Sequence, residues 1–237
     1  MRIQSSSAVG CAEQREAHPT GTHEIIMQLN LNQILIKPGH TLLLKDINWS
    51  TFEQVLEELG EHRGSRLSYR QGWLEIMVPL AEHEASKEII GDLVKILLEE
   101  FNLEFWALGS TTFKNKAMLQ AVEPDECFYI QHEAAVRGKQ RLDLTVDPPP
   151  DLAIEIDITS RIRLDNYEQL GVPELWRYNG EQLEIKVLQD GRYITSKTSS
   201  YFPKLPLLEM IPKYVKQSQA AGRNATMKAF RSFLSHQ

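Results

Sequence analysis

The amino-acid sequence predicts a domain of the mixed α/β (α+β) class, in which helices pack on a central β-sheet. Two observations support this class. A long stretch with apolar residues at helical spacing lies between two groups of short strand-like runs. The order of predicted elements is helix, hairpin, long helix, strands, short helix, strands and helix, which is too mixed for an all-α or an all-β fold.

The N-terminal part of the pattern predicts a helix followed by a β-hairpin. Residues 49–60, WSTFEQVLEELG, begin with a capping-box pattern and end at a glycine, as helices commonly do. Two short strand-like runs, at 66–70 and 73–78, are separated by a Gln-Gly pair. A turn of this length between two strand-like runs predicts the hairpin.

The longest predicted helix spans roughly 82–101, where apolar residues recur on one face. Three strand-like runs follow it, at 103–108, 126–130 and 152–158. A short helix is then predicted at 163–170. Three further runs separated by turn signals predict an antiparallel meander. A C-terminal helical segment begins at about residue 204.

Length and composition exclude several classes of protein. The chain has 237 residues, of which 42% are hydrophobic and 24% charged, as in a folded globular protein. Its 26 basic and 32 acidic residues give a net charge of −6, which excludes a general nucleic-acid coat but not a local basic groove. No apolar run approaches the roughly 18 residues of a membrane span. Cys11 and Cys127 form no CxxC pair, which favours a cytoplasmic protein.

The first residues of the chain differ from the rest. Residues 1–26 are polar and without periodicity, and they lack the apolar core of a signal peptide. We predict that they form a disordered tail and that residues 27–237 form a single domain. A start at Met27 is an equal alternative to a genuine tail.

The segment around residues 151–158 carries the clearest chemical signal. Its period of two predicts a strand with isoleucine and leucine on one face and Asp151, Glu155 and Asp157 on the other. Like charges this close repel each other unless a cation lies among them. The pattern therefore predicts a site for a hard divalent cation such as Mg²⁺ or Mn²⁺. The alternative is the solvent-exposed face of an edge strand.

A second acidic residue precedes the strand predicted at 126–130. Asp125 shares one face of this strand with Cys127 and Tyr129. If this strand neighbours the acidic strand, Asp125 can approach Glu155. The alternative is that the Pro-Asp pair belongs to a turn.

An acid near the start of one strand, followed by (D/E)-x-K on the next, is the pattern of the PD-(D/E)xK nuclease superfamily. More closely, the chain resembles the bacterial restriction endonuclease family Uma2. The matching segments occur in order and cover roughly residues 45–235, and they are GWLEIMVPLAEHEASKEIIGDLV, EPDECFYI, PPPDLAIEIDITS, YEQLGVPELWRY and LEIKVLQDGRYI.

The resemblance implies both a fold and an activity. The fold would be a restriction-endonuclease-like core, with a central mixed sheet flanked by helices and an N-terminal helix and hairpin extension. The activity would be hydrolysis of DNA phosphodiester bonds with Mg²⁺ or Mn²⁺. Asp125 and Glu155 would hold the metal, with the carboxylate of Asp157 or the carbonyl of Ile156 completing the shell. The oligomeric state stays open, a homodimer included.

The sequence departs from the superfamily pattern at one position. Asp157 stands where the motif has lysine. Arg161, with Arg163 as the second choice, is the predicted replacement, because arginine can hold a phosphate. Its high pKa makes it a poor general base. A non-catalytic module that binds DNA or a protein partner is therefore the alternative function.

The start of the long helix and the C-terminal segment provide further candidates. The helical wheel predicts that His83, and secondly Glu82, flank the buried face, while Glu84 points away. His83 would orient water or phosphate, and the alternative is a capping or core-edge histidine. The C-terminal segment is basic and could contact phosphates, although a solvated helix face is the simpler interpretation.

Overall fold

The computed structural model describes residues 30–60, 64–157 and 164–236. The predicted tail, Arg161 and Arg163 lie outside these residues. Within them, the strands are β1 (Thr41–Leu44), β2 (Arg66–Arg70), β3 (Trp73–Met77), β4 (Trp106–Ala107), β5 (Phe113–Asn115), β6 (Gln120–Val122), β7 (Glu126–Tyr129), β8 (Leu152–Ile156), β9 (Glu174–Tyr178), β10 (Leu183–Gln189) and β11 (Arg192–Ser196). The helices are α1 (Trp49–Leu59), α2 (Ala81–Glu100), α3 (Glu133–Val136), α4 (Leu164–Leu170), α5 (Leu207–Ala221) and α6 (Arg223–Leu234).

The strands form two sheets, and the larger one is mixed. Its order is β11-β10-β9-β8-β7-β4, with β8 and β9 parallel and the other neighbours antiparallel. The parallel pair is joined through α4, as the crossover between parallel strands requires. The predicted mixed α/β class and the antiparallel meander at the C-terminal side of the sheet are therefore confirmed.

Both faces of the mixed sheet are covered. Helices α2, α5 and α6 pack on one face, where the apolar side of α2 meets residues such as Ile154 and Trp176. The other face is covered by a second cluster that includes Tyr129, Ala153 and Tyr167. Strand β8 lies between β7 and β9, and all five of its residues are buried. The alternative of a solvent-exposed edge strand is therefore wrong, because central strands with both faces covered expose neither side.

The hairpin β2–β3 belongs to a separate five-stranded sheet with the order β1-β3-β2-β6-β5. Its inner face packs on α1 through Phe52, Tyr69 and Leu74. The alternation of β2 leaves Arg66 on the opposite face, which is turned toward the mixed sheet. The N-terminal part thus adds a second sheet, where the sequence alone predicted only a helix and a hairpin.

The C-terminal segment consists of two helices, α5 and α6, that pack against α2. Arg223 Nε lies 2.5 Å from Asp92 Oδ2, and Arg231 lies within 3.0 Å of two glutamates at the end of α2. These two arginines therefore neutralise acids of α2. Among the described residues, no helix combines the length and apolar character needed to cross a membrane.

Candidate active site

Two buried carboxylates meet where β7 and β8 run side by side. The antiparallel register pairs Glu126 with Ile154, and continuing it by one residue places Asp125 opposite Glu155. Asp125 is 2% exposed and Glu155 is 6% exposed. The backbone N–H of Ile156 donates to Asp125 Oδ2 at 2.8 Å, which fixes this carboxylate beside β8. The condition under which Asp125 approaches Glu155 is therefore met.

The ionised form of Glu155 is electrostatically unfavourable in this position. Burial raises the pKa of this carboxyl well above its usual range, and the negative charge of Asp125 raises it further. The hydroxyl of Tyr167, from α4, donates to Glu155 Oε1 and partly offsets the shift. A positive charge placed between Asp125 and Glu155 would relieve the repulsion, which is the environment that a metal ion supplies.

His83 lies behind Asp125 rather than in the open cleft. Its side chain is fully buried, with Nε2 3.1 Å from Asp125 Oδ2 and Nδ1 3.4 Å from Glu84 Oε1. Burial by itself lowers the pKa of His83, but the two carboxylates outweigh it and raise the pKa to about 9. The ring is therefore protonated at neutral pH. Within the described chain, neither nitrogen has an aligned hydrogen bond, so the attraction is chiefly electrostatic.

Glu84 and Glu82 are placed differently from the helical-wheel expectation. Glu84 does not point away: its carboxylate lies 2.9 Å from Lys87 Nζ and 3.4 Å from Arg66 Nη2. Glu82 is exposed. The wheel failed here because it places a side chain only relative to its own helix, whereas one of the two basic partners of Glu84, Arg66, comes from the other sheet.

Asp157 shares the face of Glu155 but is held by another partner. Arg177, on the neighbouring strand β9, forms an ion pair with Asp157 and lies 3.3 Å from Glu184. The position that would hold the motif lysine is thus a carboxylate already paired with an arginine.

Asp151 lies at the opposite end of β8 from this site. One of its oxygens accepts hydrogen bonds from the backbone of Ile130 at 2.7 Å and His132 at 2.9 Å, and the other lies 2.6 Å from the His132 ring. It lies four strand positions, about 13 Å, from Glu155. Its bonds indicate that it fixes the loop after β7.

The two carboxylates open into a cleft between the two sheets. The sequence did not identify three polar residues of this region. Arg66 is contributed by β2, and its Nε lies 3.5 Å from Asp125 Oδ1. Asn166, on α4, donates to Ser68 at 2.8 Å across the cleft. Lys87 follows His83 by one helical turn, and this spacing was the one local signal that could have indicated it.

The described residues of this site provide some, but not all, of the ligands that a hard cation needs. Among the described residues, no group of three or more His, Cys, Asp or Glu side chains is placed to hold a metal ion. Asp125 and Glu155 offer carboxylate oxygens, which are preferred by Mg²⁺ and Mn²⁺. The carbonyl of Ile156 adds a third oxygen on the same side, because the N–H and C=O of one strand residue point together and this N–H faces Asp125.

A mixed sheet flanked by helices, with acids paired across two adjacent strands, is the arrangement that the resemblance to PD-(D/E)xK nucleases predicts. The profile of the Uma2 family, described as "Putative restriction endonuclease", matches residues 49–216. The match covers more than half of the chain, so the chain belongs to this family. The resemblance predicted from the sequence motifs is confirmed.

The solved structures similar to this chain include one of low sequence identity. It is described as a putative nuclease belonging to DUF820 from Anabaena variabilis, with 13% identity and a TM-score of 0.48. The similarity covers 63% of this chain and 90% of that one. No curated protein matches the sequence.

Proposed function

We propose that this protein is a metal-dependent endonuclease that hydrolyses phosphodiester bonds in DNA. The observation that carries the proposal is the buried pair Asp125 and Glu155, which face each other across adjacent strands at the base of a cleft. Membership of a restriction endonuclease family supports the same chemistry. A cytoplasmic location and a homodimer stay predictions.

Asp125, Glu155 and the carbonyl of Ile156 would hold Mg²⁺ or Mn²⁺. A divalent ion in such a site lowers the pKa of a bound water and stabilises negative charge on the phosphate. Asp157 is the less suitable third ligand, since it would have to leave Arg177.

The remaining residues of the site would position these ligands. Tyr167 holds one oxygen of Glu155, and Glu155 lines the cleft. His83 and the N–H of Ile156 fix Asp125 from behind. We assign His83 to positioning rather than to contact with water or phosphate, because its side chain is fully buried.

A non-catalytic module that binds DNA or a protein partner is the second candidate. The observation that favours it is the Asp157–Arg177 pair at the place of the motif lysine. Such a protein would keep the cleft and its carboxylates without cleaving DNA.

Cleavage of mixed DNA substrates in Mg²⁺ and Mn²⁺ separates the two candidates. The wild type should cleave, and Asp125→Asn and Glu155→Gln should be slower by at least about 100-fold, the loss typical of removing a group that stabilises a transition state. Glu209→Gln, an exposed acid on α5, is the matched control. No cleavage by the wild type on any substrate would favour the non-catalytic module.

Calorimetry with Mn²⁺ tests the metal site independently of cleavage. The wild type should bind the ion, and the double variant Asp125→Ala/Glu155→Ala should not, because both carboxylate ligands are gone. Equal titrations for the two proteins would contradict the proposed metal site.

A further inference from the structure

The described part of the site has one obvious source of positive charge for a substrate. Strand β8 offers no free cation at the motif position, because Asp157 is a carboxylate paired with Arg177. Among the described residues that line the cleft, Arg66 is the only lysine or arginine. It is therefore the candidate, among the described lining residues, for the positive charge that the superfamily pattern expects from lysine.

The position of Arg66 suits a ligand in the cleft. It begins β2, so its backbone belongs to a paired strand rather than to a loop. Its Nε lies 3.5 Å from Asp125 Oδ1 and its Nη2 lies 3.4 Å from Glu84 Oε1. Both distances are at the long limit of hydrogen bonding, and a guanidinium has five N–H donors in a planar fork. Donors of Arg66 can therefore turn to a phosphate while the charge stays beside Asp125.

Lys87 is placed less well for this role. Its Nζ lies 2.9 Å from Glu84 Oε2 and 3.4 Å from Glu88 Oε1, so two carboxylates on its own helix surround it. Glu84 stands between Lys87 and Arg66 and contacts both. Lys87 accordingly supports the position of Glu84.

We propose that Arg66 is a catalytic residue that takes the place of the motif lysine by binding the non-bridging oxygens of the scissile phosphate. The assignment rests on the proposed nuclease function and deepens it. Arg66 provides a planar, permanently charged fork, whose geometry matches a phosphate.

In the proposed chemical step, Arg66 supplies a fixed positive charge and transfers no proton. The oxygen of a water forms a bond to phosphorus, and the P–O3′ bond breaks with its electron pair going to O3′. One proton of the water ends on O3′, and the other ends on the new 5′-phosphate or in solvent. A guanidinium carries a fixed positive charge, so Arg66 neither gives nor takes a proton in this step. It meets the negative charge that develops on the non-bridging oxygens.

Single-turnover cleavage with Mn²⁺ tests the proposal. Arg66→Ala should lower the rate by at least about 100-fold, while Mn²⁺ affinity measured by calorimetry changes little. Added guanidinium chloride at millimolar concentration should restore part of the rate to Arg66→Ala but none to Asp125→Ala. Arg231→Ala is the matched control, because Arg231 pairs with glutamates of α2 outside the cleft.

Further variants keep the result interpretable. Arg66→Lys retains the charge and should retain more activity than Arg66→Gln, with both melting near the wild type. Loss of Mn²⁺ binding together with activity in Arg66→Ala would mean that Arg66 only shapes the metal site, and would overturn the assignment. Cleavage by Arg66→Ala at the wild-type rate would also overturn it and leave the nuclease function intact.

Two outcomes separate this assignment from the nuclease proposal itself. A loss of rate in Arg161→Ala but not in Arg66→Ala would give the role to Arg161. A wild type that cleaves no DNA in either metal would overturn the nuclease function, and the catalytic role of Arg66 with it.

Discussion

Replacing His83 with glutamine should change how the stability of the protein depends on pH. His83 is buried between the carboxylates of Asp125 and Glu84, 3.1 Å and 3.4 Å away. Although burial lowers its pKa, these carboxylates raise the value from the usual 6.5 to about 9. Glutamine keeps a donor near the position of the ring Nε2 but carries no charge.

The raised pKa of His83 determines the sign and the size of the change in stability with pH. A histidine whose pKa is higher in the folded state stabilises the fold fully below pH 6.5, and the contribution is lost as the pH rises through about 9. The free-energy equivalent of this shift is about 3 kcal/mol. The wild type should therefore lose about that much stability, relative to His83→Gln, between these two pH values.

Urea unfolding in the presence of a chelator measures this difference. Free energies of unfolding would be obtained for the wild type and His83→Gln across the range from about pH 6 to pH 10, with equal m-values as the check of two-state behaviour. His236→Gln, an exposed histidine near the C-terminus, is the matched control. Parallel stability curves for the wild type and His83→Gln would refute the electrostatic role of His83.

Three further variants test other parts of the molecule. Glu155→Gln should raise the free energy of unfolding in chelator by about 1–3 kcal/mol, and the gain should grow as the pH rises. The reason is that a buried carboxylate with a raised pKa opposes folding once it is ionised. A clear loss of stability in thermal melts would instead show that the carboxylate stabilises the fold. Asp157→Lys restores the superfamily spacing but places a cation beside Arg177, so it should lower stability by about 3 kcal/mol, and Arg177→Ala should recover part of this in the double variant. Failure of the second substitution to recover stability would contradict the pairing. A chain beginning at Met27 should melt at the same temperature as the full chain, since residues 1–26 lack periodicity and helix caps; a substantial drop would mean that this segment contributes to the fold.

Local patterns in the sequence were sufficient for most of the elements and for the family. The apolar stripe of α2, the turn between β2 and β3 and the period of two in β8 each depend on residues within one element. The length of strand β4 was overestimated: the sequence predicted a strand of six residues, but only two residues pair with β7. The approach of Asp125 to Glu155 could be predicted from the strand face on which each residue lies, given that the two strands are neighbours.

The tertiary structure decided what surrounds those acids. A period of two separates the faces of β8 but cannot say that both are buried; that follows from α2 covering one face and Tyr167 lying against the other. Arg66 is 59 residues from Asp125 in the chain and reaches it only because the two sheets enclose a common cleft. Glu84 contacts Arg66 for the same reason. Periodicity records the environment of one element, whereas the charge balance of this site depends on side chains from several elements, which only their packing brings together.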